Sequence, residues 1–450
     1  MVGDYRKIKT LNDFKNFIKD KSISVIGIAR SNIALIDFLF KHGVEKITAR
    51  DKKDIFINGK IPELEELEKK IKINYIFGEN YLDDLREDII FKTPAIRRDL
   101  PQFIDAQNNG SIITSEIELF FMLCPAKTIA VTGSAGKTTT TTIIGEILKA
   151  DGKTVYVGGN IGSPLLNQIE NITKEDYAVL ELSSFQLFDL DNGNFAPNYA
   201  VITNITPNHL DWHKDMDEYI NAKKIIFKNQ KENDRLVLGD NNPDVYCDEK
   251  SIYADKKKII DKSDIFIKGE YNIWNFMTAI GVVYDIADRE AILKVAKNFN
   301  GVEHRMEFVC ELGGIFYYNS SIDSTPTRTI EALNYFDEDK KTIVILGGSD
   351  KKITFDPLAP VVYKKAKAAI LYGATKDIIK KCLDDYKNNN NDCEKLIINV
   401  AENFDSAVMI AKSLASSGDI VLLSPACASF GEFKDFEERG NRFKKLVKGF

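Results

Sequence analysis

The stretch AVTGSAGKTTTTTIIGEILKA, residues 130–150, predicts a short strand, a glycine-containing loop and a helix in direct succession. The loop matches the phosphate-binding pattern G-x-x-x-x-G-K-[ST] from Gly136 onward, but Val131 stands where that pattern has its first glycine. Val131 continues the apolar strand, so a shorter loop, G-x-x-G-K-T, remains. Because strand, loop and helix are the context that the pattern requires, we interpret the stretch as a nucleotide-binding loop. The alternative is a plain glycine-rich turn before a threonine-rich helix.

This shorter loop still has the groups that nucleotide binding needs. Gly133 and Gly136 let the backbone turn its N–H groups toward phosphate oxygens. We expect Lys137 to meet the β- and γ-phosphates and the Thr138 hydroxyl to ligate Mg²⁺. The helix that follows should bury one apolar side, formed by Ile143, Ile144, Ile147 and Leu148.

Composition describes an ordinary globular chain and argues against some classes of function. A length of 450 residues is too great for one core and suggests roughly two to four domains. The formal net charge of −6 offers no basic footprint for nucleic acid. We find no secretory signal and no apolar run near the roughly 20 residues of a membrane helix, so no membrane partner is expected. The six cysteines lie far apart, which predicts reduced thiols in a cytoplasmic protein.

The first part of the chain predicts an α/β unit of the dinucleotide-binding type. SISVIGIARSNIALIDFLFKHG predicts a strand, a turn at Gly27 and a helix. A second strand ends at Asp51, 24 residues after Gly27, a spacing at which an acid meets a ribose in such units. Ala29 and Asn32 replace the later glycines of G-x-G-x-x-G. We therefore do not expect a redox cofactor, and a site for some other nucleotide stays open. The alternative of a Rossmann dehydrogenase predicts NAD binding.

Two more α/β domains follow. In the middle segment TVYVGGN, YAVLELSS and YAVITNITP are apolar strands that end in small or polar residues, and parallel strands of this kind predict one shared site at their carboxyl ends. After GVEHRMEFV the pattern restarts with GIFYYNSS, KTIVILGGSD, AAILYGAT, KLIINV and DIVLLSPA. The predicted fold is α/β with three domains: a Rossmann-like domain at 1–118, a central P-loop ATPase-type domain with a parallel sheet at 119–302, and a second Rossmann-like domain at 303–450.

Motifs along nearly the whole chain occur in the order seen in the Mur ligases of peptidoglycan synthesis. They include TGSAGKTTT, GGNIG, LELSSFQL, TNITPNHLDWH, YINAKKIIF, HRMEF, LGGSDKK and, most specifically, SPACASFGEFKDFEERG. On these motifs the chain resembles the Mur ligases, and within the family it is most similar to the members that add D-glutamate. The resemblance is weakest before residue 110 and around residues 376–400.

The resemblance implies an ATP-dependent amide ligase that adds D-glutamate to UDP-N-acetylmuramoyl-L-alanine. ATP first phosphorylates the terminal carboxylate, and the incoming amine then attacks the acyl phosphate. Phosphoryl transfer between two anions needs cations and aligned donors more than a covalent nucleophile. The implied cofactors are ATP and Mg²⁺ at two sites, the implied partners are the two small-molecule substrates, and a monomer is expected.

The resemblance also implies roles for individual residues. The catalytic positions are Lys137, His209 and Lys223, and the metal ligands are Thr138, Glu181, His209 and a carbamylated Lys223. The ATP-binding positions are Gly133, Ser134, Ala135, Gly136, Lys137, Thr138, Thr139, Asn272, Asn275 and Arg305. The positions for the UDP-sugar are Arg30, Ser31, Asp51, Asn160 and Ser183, with UDP bound by the first domain. The positions for D-glutamate are Ser324, Lys351, Ser429 and Phe436.

Lys223 is the most informative of these residues. Helical spacing places it on one face with Tyr219, Ala222, Ile226 and Phe227. A lysine on an apolar face is unfavourable unless it is paired or modified. The resemblance implies a carbamate, which turns the cation into an acid that helps to bind a second Mg²⁺. The alternative is a lysine that extends to solvent.

The sequence leaves open simpler interpretations of two site residues and other functions for the whole chain. Glu181 is otherwise an ordinary strand-end acid, and His209 a structural histidine. The chain could instead be a folylpolyglutamate synthase, against which the UDP-binding first domain argues, or a nucleotide-binding regulator without ligase activity. Departures from the family pattern at Ala135 in the loop, Ser320 and Gly431 give the regulator some support. Tyr271 is a further departure, and Asp323 is a possible substitute for the acid that is absent at Ser320.

Overall fold

The computed structural model describes residues 5–56, 61–191, 195–210, 212–240, 242–267, 269–336, 341–350, 353–390 and 395–450. The chain divides into two compact units, residues 1–265 with 270–298 and residues 266–269 with 299–450. The expected α/β class with parallel sheets is confirmed. Within the described ranges, no helix has the length and apolar character needed to cross a membrane.

The first unit begins with a sheet of five parallel strands. These are β1 (Ile23–Ile26), β2 (Lys46–Asp51), β3 (Lys72–Phe77), β4 (Ile89–Lys92) and β5 (Ile112–Thr114). Their order, β3-β2-β1-β4-β5, is that of a doubly wound nucleotide-binding sheet, with a switch point beside β1. The accompanying helices are α1 (Leu11–Ile18), α2 (Arg30–Lys41), α3 (Pro62–Glu68), α4 (Pro101–Asn108) and α5 (Glu116–Leu123).

A second sheet of five parallel strands carries the loop at 133–136. Its strands are β6 (Lys127–Thr132), β7 (Val155–Gly159), β8 (Tyr177–Glu181), β9 (Tyr199–Ile202) and β10 (Arg235–Leu238), in the order β10-β9-β6-β8-β7. The helices are α6 (Lys137–Ala150), α7 (Ser184–Leu190), α8 (Met216–Lys228), α9 (Glu270–Val283) and α10 (Arg289–Asn298). The four apolar residues expected on the buried side of α6 are fully buried. Because the strands are parallel, the ends of β6, β8 and β9 lie at one edge of the sheet.

A small antiparallel sheet completes the first unit and was not expected from the sequence. It consists of β11 (Val245–Cys247), β12 (Ser251–Ala254) and β13 (Lys257–Asp261). One continuous hydrophobic core runs through the first two sheets, from Val25 and Phe91 to Leu180 and Ile202. A buried ion pair also joins them, because the Lys92 ammonium on β4 lies 2.5 Å from the Asp189 carboxylate on α7.

The second unit is a six-stranded mixed sheet between helices. Its strands are β14 (Glu307–Leu312), β15 (Ile315–Asn319), β16 (Thr342–Gly347), β17 (Ala366–Tyr372), β18 (Ile397–Val400) and β19 (Ile420–Leu423). Their order is β14-β15-β19-β16-β17-β18, and only the β14–β15 pair is antiparallel. The helices are α11 (Pro326–Asn334), α12 (Leu358–Lys365), α13 (Lys376–Asn389), α14 (Phe404–Leu414) and α15 (Phe436–Lys448). Alternate residues of β16 enter separate cores on the two faces of this sheet.

Candidate active site

The loop after β6 has a shape that only glycine permits at two positions. Gly136 is the N-cap of α6 with φ +78°, and a Cβ there would lie 2.4 Å from Oδ1 of Asn275. Gly133 has φ +152°, and a Cβ there would lie 1.8 Å from Oγ1 of Thr203. The short G-x-x-G loop is therefore packed directly against the residues that follow β9 and against α9.

Asn204 fixes the loop by bonding to its backbone. The N–H of Ser134 donates to the Asn204 carbonyl at 2.9 Å, and the N–H of Ala135 donates to the Asn204 side-chain oxygen at 3.0 Å. Thr203 and the Asn204 amide both donate to the Ala135 carbonyl. These two loop N–H groups are thus committed to the protein, and the donors for a phosphate are expected from the first turn of α6.

Two lysines converge on one carbonyl of this loop. Nζ of Lys137 donates to the Gly133 carbonyl at 3.0 Å, and Nζ of Lys223 donates to the same oxygen at 2.9 Å. Two cations at one acceptor repel each other. The site therefore favours an added anion, or loss of one positive charge, at this point.

Lys223 does not extend to solvent. Its side chain is 1% exposed, and Nζ lies 4.6 Å from the centre of the Tyr219 ring. The neighbouring Lys224 is exposed. Burial, together with the nearby Lys137 ammonium, lowers the pKa of Lys223 to about 7. A substantial share of this amine is therefore neutral near pH 7, and only a neutral amine can react with CO2.

Glu181 and Thr138 form the oxygen-rich side of the site. The Thr138 hydroxyl donates to Oε2 of Glu181 at 2.7 Å, and the Asn160 amide donates to Oε1 at 3.0 Å. Glu181 is 2% exposed at the end of β8, and its charge also acts on Lys223. A buried acid that faces a hydroxyl at the start of a nucleotide-type loop is more specialised than an ordinary strand-end acid.

His209 lies in the loop after β9 with an exposed side chain and an unusual backbone. Its φ is +54°, a left-handed conformation that non-glycine residues seldom adopt. Its ring packs edge-on against Phe185 at 4.9 Å and lies 6.4 Å from Tyr219. The Tyr219 hydroxyl bonds to Oγ of Ser134 at 2.8 Å. Tyr219 thus connects the surroundings of His209 and Lys223 to the loop.

The candidate nucleotide residues of α9 are also close to the loop. Asn272 and Asn275 are buried, and the Asn275 amide donates to Oδ1 of Asn272 at 3.2 Å. Thr140 of α6 donates to Oδ1 of Asn275 at 3.3 Å. Thr139 is half-buried in the first turn of α6. Arg305, the remaining nucleotide candidate, belongs to the second unit and is half-buried there.

The candidate UDP-sugar residues are distributed over both sheets of the first unit. Arg30 and Ser31 are exposed at the start of α2, and Asp51 accepts the N–H of Ile28 at 2.8 Å. A cavity of about 40 Å³ at this turn is lined by residues that include Gly27, Ser31 and Gln186. Ser183 caps α7 in a reciprocal pair with Gln186. The Ser183 hydroxyl therefore has a structural use at the edge of the same sheet where Asn160 lies.

The candidates for D-glutamate all belong to the second unit, and three of the four lie in its described residues. Ser429 is buried, and Ser324 and Phe436 are half-buried. Lys351 lies outside the described residues. The Asp323 carboxylate is buried, accepts the Ser424 hydroxyl at 2.8 Å, and has its pKa raised to about 6 by burial. It also bonds to the Ser320 side chain, so the Asp323 carboxylate lies beside the position for which it is a possible substitute.

The chain is similar to known proteins over nearly its whole length. The model of the Mur ligase middle domain matches residues 131–261, and the model of the Mur ligase glutamate ligase domain matches residues 304–427. A UDP-N-acetylmuramoylalanine--D-glutamate ligase of Acetivibrio thermocellus is 46% identical, covering 97% of this chain and 98% of the relative. A protein of the same name from Clostridium tetani is 44% identical over 98% of this chain and 99% of its own length.

The chain belongs to the Mur ligase family. Solved structures share its fold at lower identity. UDP-N-acetylmuramate-alanine ligase MurC of Thermotoga maritima matches with a TM-score of 0.58 and 18% identity over 95% of this chain and 99% of its own. MurF ligase of the same organism, solved with ADP, matches with a TM-score of 0.50 and 17% identity over 96% and 97% of the two chains. As a Mur ligase, the protein is an ATP-dependent amide ligase.

The donors of this Mur ligase fit Mg²⁺. Thr138 and Glu181 offer hard oxygen ligands, and Mg²⁺ usually takes one or two carboxylates together with waters and substrate phosphates. In the part of the chain that is described, no group of three or more His, Cys, Asp or Glu side chains is placed to hold a metal ion. An ammonium at Lys223 does not fit a second cation. A carbamate at the same atom does.

Sequence reasoning missed how this Mur ligase holds its loop. Thr203 and Asn204 clamp Ala135 and fill the space that a side chain at Gly133 would need. Their signal was the Thr-Asn pair directly after an apolar strand, which indicated a ligand-facing position and not a clamp. Arg97, which joins the first two sheets near His209 through the Trp212 carbonyl, lies outside every quoted motif, and Trp212 stands in the motif TNITPNHLDWH without a role of its own.

Proposed function

We propose that this Mur ligase joins D-glutamate to UDP-N-acetylmuramoyl-L-alanine in the synthesis of peptidoglycan precursors. The observation that carries the proposal is the 44–46% identity, over nearly the full length of both chains, to relatives that bear the name of this activity. The site supports it, because cations and oxygen ligands meet at the start of α6, where a triphosphate needs them. The widely spaced cysteines indicate reduced thiols, so we place the reaction in the cytoplasm, with a monomer as the working unit.

The reaction is a transfer of the γ-phosphoryl group followed by amide formation. The carboxylate of the substrate's alanine attacks the γ-phosphorus of ATP, and ADP leaves. The amine of D-glutamate then attacks the acyl carbon, phosphate leaves and the amine loses a proton. Lys137 would hold the β- and γ-phosphates, with His209 beside the transferred group. Magnesium would be held by Thr138 and Glu181, and by His209 and the carbamate of Lys223, where it supplies neutralisation of phosphate charge.

Each predicted domain has a proposed share of the binding. Residues 1–118 would hold UDP through Arg30, Ser31 and Asp51, with Asn160 and Ser183 toward the sugar. Residues 119–302 would hold ATP through the 133–139 segment, Asn272 and Asn275, joined by Arg305. Residues 303–450 would hold D-glutamate through Ser324, Lys351, Ser429 and Phe436. Hydroxyls and a lysine suit a dianionic amino acid, since charge-assisted hydrogen bonds are the stronger ones.

The test measures phosphate release from ATP with UDP-N-acetylmuramoyl-L-alanine and one amino acid at a time. D-glutamate should support release, while L-glutamate, lysine and diaminopimelate should not. Release with another amino acid would overturn the specificity and leave the ligase. Absence of release with every pair would overturn the proposed reaction and favour a nucleotide-binding regulator. A folate acceptor in place of the UDP-sugar tests the folylpolyglutamate alternative.

A further inference from the structure

Arg97 directly follows the turn at 93–96 and makes a dense set of contacts for a residue outside the catalytic set. Its guanidinium is bidentate to Glu218, with both nitrogen–oxygen distances 2.9 Å, and also bonds to both oxygens of Asp99. The Arg97 and Glu218 side chains are only 17% and 18% exposed. A planar fork bound in this way is far more geometrically specific than a surface ion pair.

The same guanidinium also binds the loop after β9. Nη1 of Arg97 donates to the Trp212 carbonyl at 3.1 Å, and the guanidinium carbon lies 4.9 Å from the centre of the Trp212 ring. The indole N–H in turn donates to the Ala95 carbonyl at 3.0 Å. The turn of the first sheet and the loop of the second sheet are thus joined by two hydrogen bonds and a stacked cation.

Trp212 in turn contacts His209 and restrains its conformation. The N–H groups of Trp212 and His213 both donate to the His209 carbonyl, at 3.1 and 3.0 Å. Phe185 packs against the rings of His209 and Trp212 at 4.9 and 4.6 Å. A left-handed φ of +54° at a non-glycine residue costs energy and persists only where its surroundings hold it.

We propose that Arg97 is a positioning residue. Through Trp212 it holds the loop after β9 in the conformation that presents His209, and it couples this loop to the turn at 93–96. The inference rests on the proposed function, in which that turn belongs to the domain that binds UDP. Binding of the UDP-sugar would then stabilise the turn and, through Arg97 and Trp212, the orientation of His209. The UDP-sugar would in this way help to position the centre that acts on its far end.

The kinetic test compares Arg97→Ala with the matched control Arg86→Ala. Arg86 makes an ion pair with Asp105 in the same unit, but those side chains are 57% and 62% exposed. With Arg97→Ala we expect kcat to fall about 10- to 100-fold, since a displacement of about 1 Å at a reacting group has that effect, while the KM for ATP stays within about twofold. Arg97→Lys should recover only part of kcat, because an ammonium can pair with Glu218 but cannot also reproduce the fork and the stack. Arg86→Ala should match the wild type.

Tryptophan emission gives a readout that does not depend on turnover. The chain has two tryptophans, so in a Trp274→Phe background Trp212 is the only one. Arg97→Ala should shift its emission to the red and abolish the change caused by UDP-N-acetylmuramoyl-L-alanine. A normal kcat in folded Arg97→Ala would overturn the inference, as would a lowered kcat with unchanged Trp212 emission. A wild-type protein that is inactive with every substrate pair would instead overturn the proposed function, and the ligand response of Trp212 would still test the coupling.

Discussion

Lys223 shows how the surroundings of a residue change the reactivity of its side chain. Its amine is buried, lies over the Tyr219 ring and shares the Gly133 carbonyl with Lys137. A protonated lysine is disfavoured there because both desolvation and a second cation oppose the charge. The pKa of about 7 follows from these two causes, and it makes the amine a nucleophile for CO2 at neutral pH.

The first prediction concerns pH and CO2. The amine reacts with CO2 to give a carbamate and a proton, so the carbamate fraction should rise with pH and with dissolved CO2. We expect activity to fall as pH drops below about 7, where the amine is protonated, and the loss to be partly reversed by added bicarbonate. Carbon-13 NMR with labelled bicarbonate should show a carbamate signal in the wild type.

The variants Lys223→Met and Lys224→Met provide the matched pair for this prediction. Methionine fits the apolar surroundings of Lys223 and removes the amine, so the carbamate signal and nearly all activity should vanish, with recovery by short carboxylic acids. Lys224 is exposed next to it, and its variant should keep both. Full activity in Lys223→Met would rule out any role for this lysine in metal binding.

The second prediction separates backbone strain from contact at Gly136. Gly136→Ala forces alanine into φ +78° and places its Cβ 2.4 Å from Asn275, whereas Gly152→Ala has φ +81° and open space. Both variants should lose about 1–2 kcal/mol of stability from the left-handed backbone. Only Gly136→Ala should raise the KM for ATP, by about tenfold if the Asn275 hydrogen bonds are lost. An equal effect of both variants on the KM would mean that Asn275 has no part in nucleotide binding.

Strand β4 and helix α7 are joined by a buried ion pair that could not be predicted from the sequence. Lys92 is 1% exposed and Asp189 4%, and the lysine also donates to the Ile96 carbonyl at 2.8 Å. Burial opposes ionisation of both groups, so it lowers the pKa of Lys92 and raises that of Asp189, while their mutual attraction acts against both shifts. The two elements therefore depend on each other for the neutralisation of a buried charge.

The third prediction follows from this pair. Asp189→Asn leaves the Lys92 ammonium buried without its counter-ion and should destabilise the first unit by about 3–5 kcal/mol. Glu146→Gln breaks the exposed Lys149–Glu146 pair on α6 and should change stability by less than about 0.5 kcal/mol. Urea unfolding followed by tryptophan emission measures both, because Trp212 and Trp274 belong to the first unit. Similar midpoints for the two variants would contradict the prediction.

Many of the strands predicted correctly are continuous apolar runs buried on both sides. β6, β8, β9, β16 and β19 are of this kind, and so their carboxyl ends could be placed together from the sequence. β7, β15 and β18 were predicted as well, although they are only partly buried. β3 was missed because Lys72 and Asn74 interrupt its apolar residues, and β11–β13 because they are short and antiparallel. The site residues Lys137, Thr138, Glu181 and Lys223 could be proposed from the sequence, because each follows an apolar strand or lies on an apolar helix face. The Arg97–Glu218 contact joins residues 121 positions apart, and a single sequence contains no pairing information of that range.

Across the whole molecule, the boundaries of the proposed binding roles differ from the boundaries of the compact units. The proposed roles change near residue 118, yet the structure joins the first two sheets in one compact unit with one core. Phe120 and Leu123, just after that point, are buried in this core. A separation there would expose apolar surface on both parts.

The fourth prediction tests this with fragments. A fragment of residues 1–298 should fold cooperatively, whereas a fragment of residues 1–118 should aggregate or remain unfolded, because its half of the shared core would face water. Circular dichroism and thermal unfolding measure the two outcomes. A stable, cooperatively melting 1–118 fragment would show that the first sheet does not need the second.

The shared core also limits how such chains can exchange parts during evolution. A crossover between two Mur ligases near residue 118 would have to match dozens of apolar side chains across the junction, and mismatched volumes in a core are destabilising in either direction. A crossover near residue 299 separates the second compact unit except for its residues 266–269, and it divides none of the large apolar clusters of the two units. On the proposed division of binding among the domains, recombination would therefore change the amino acid that is added far more readily than it would separate the recognition of UDP from the use of ATP.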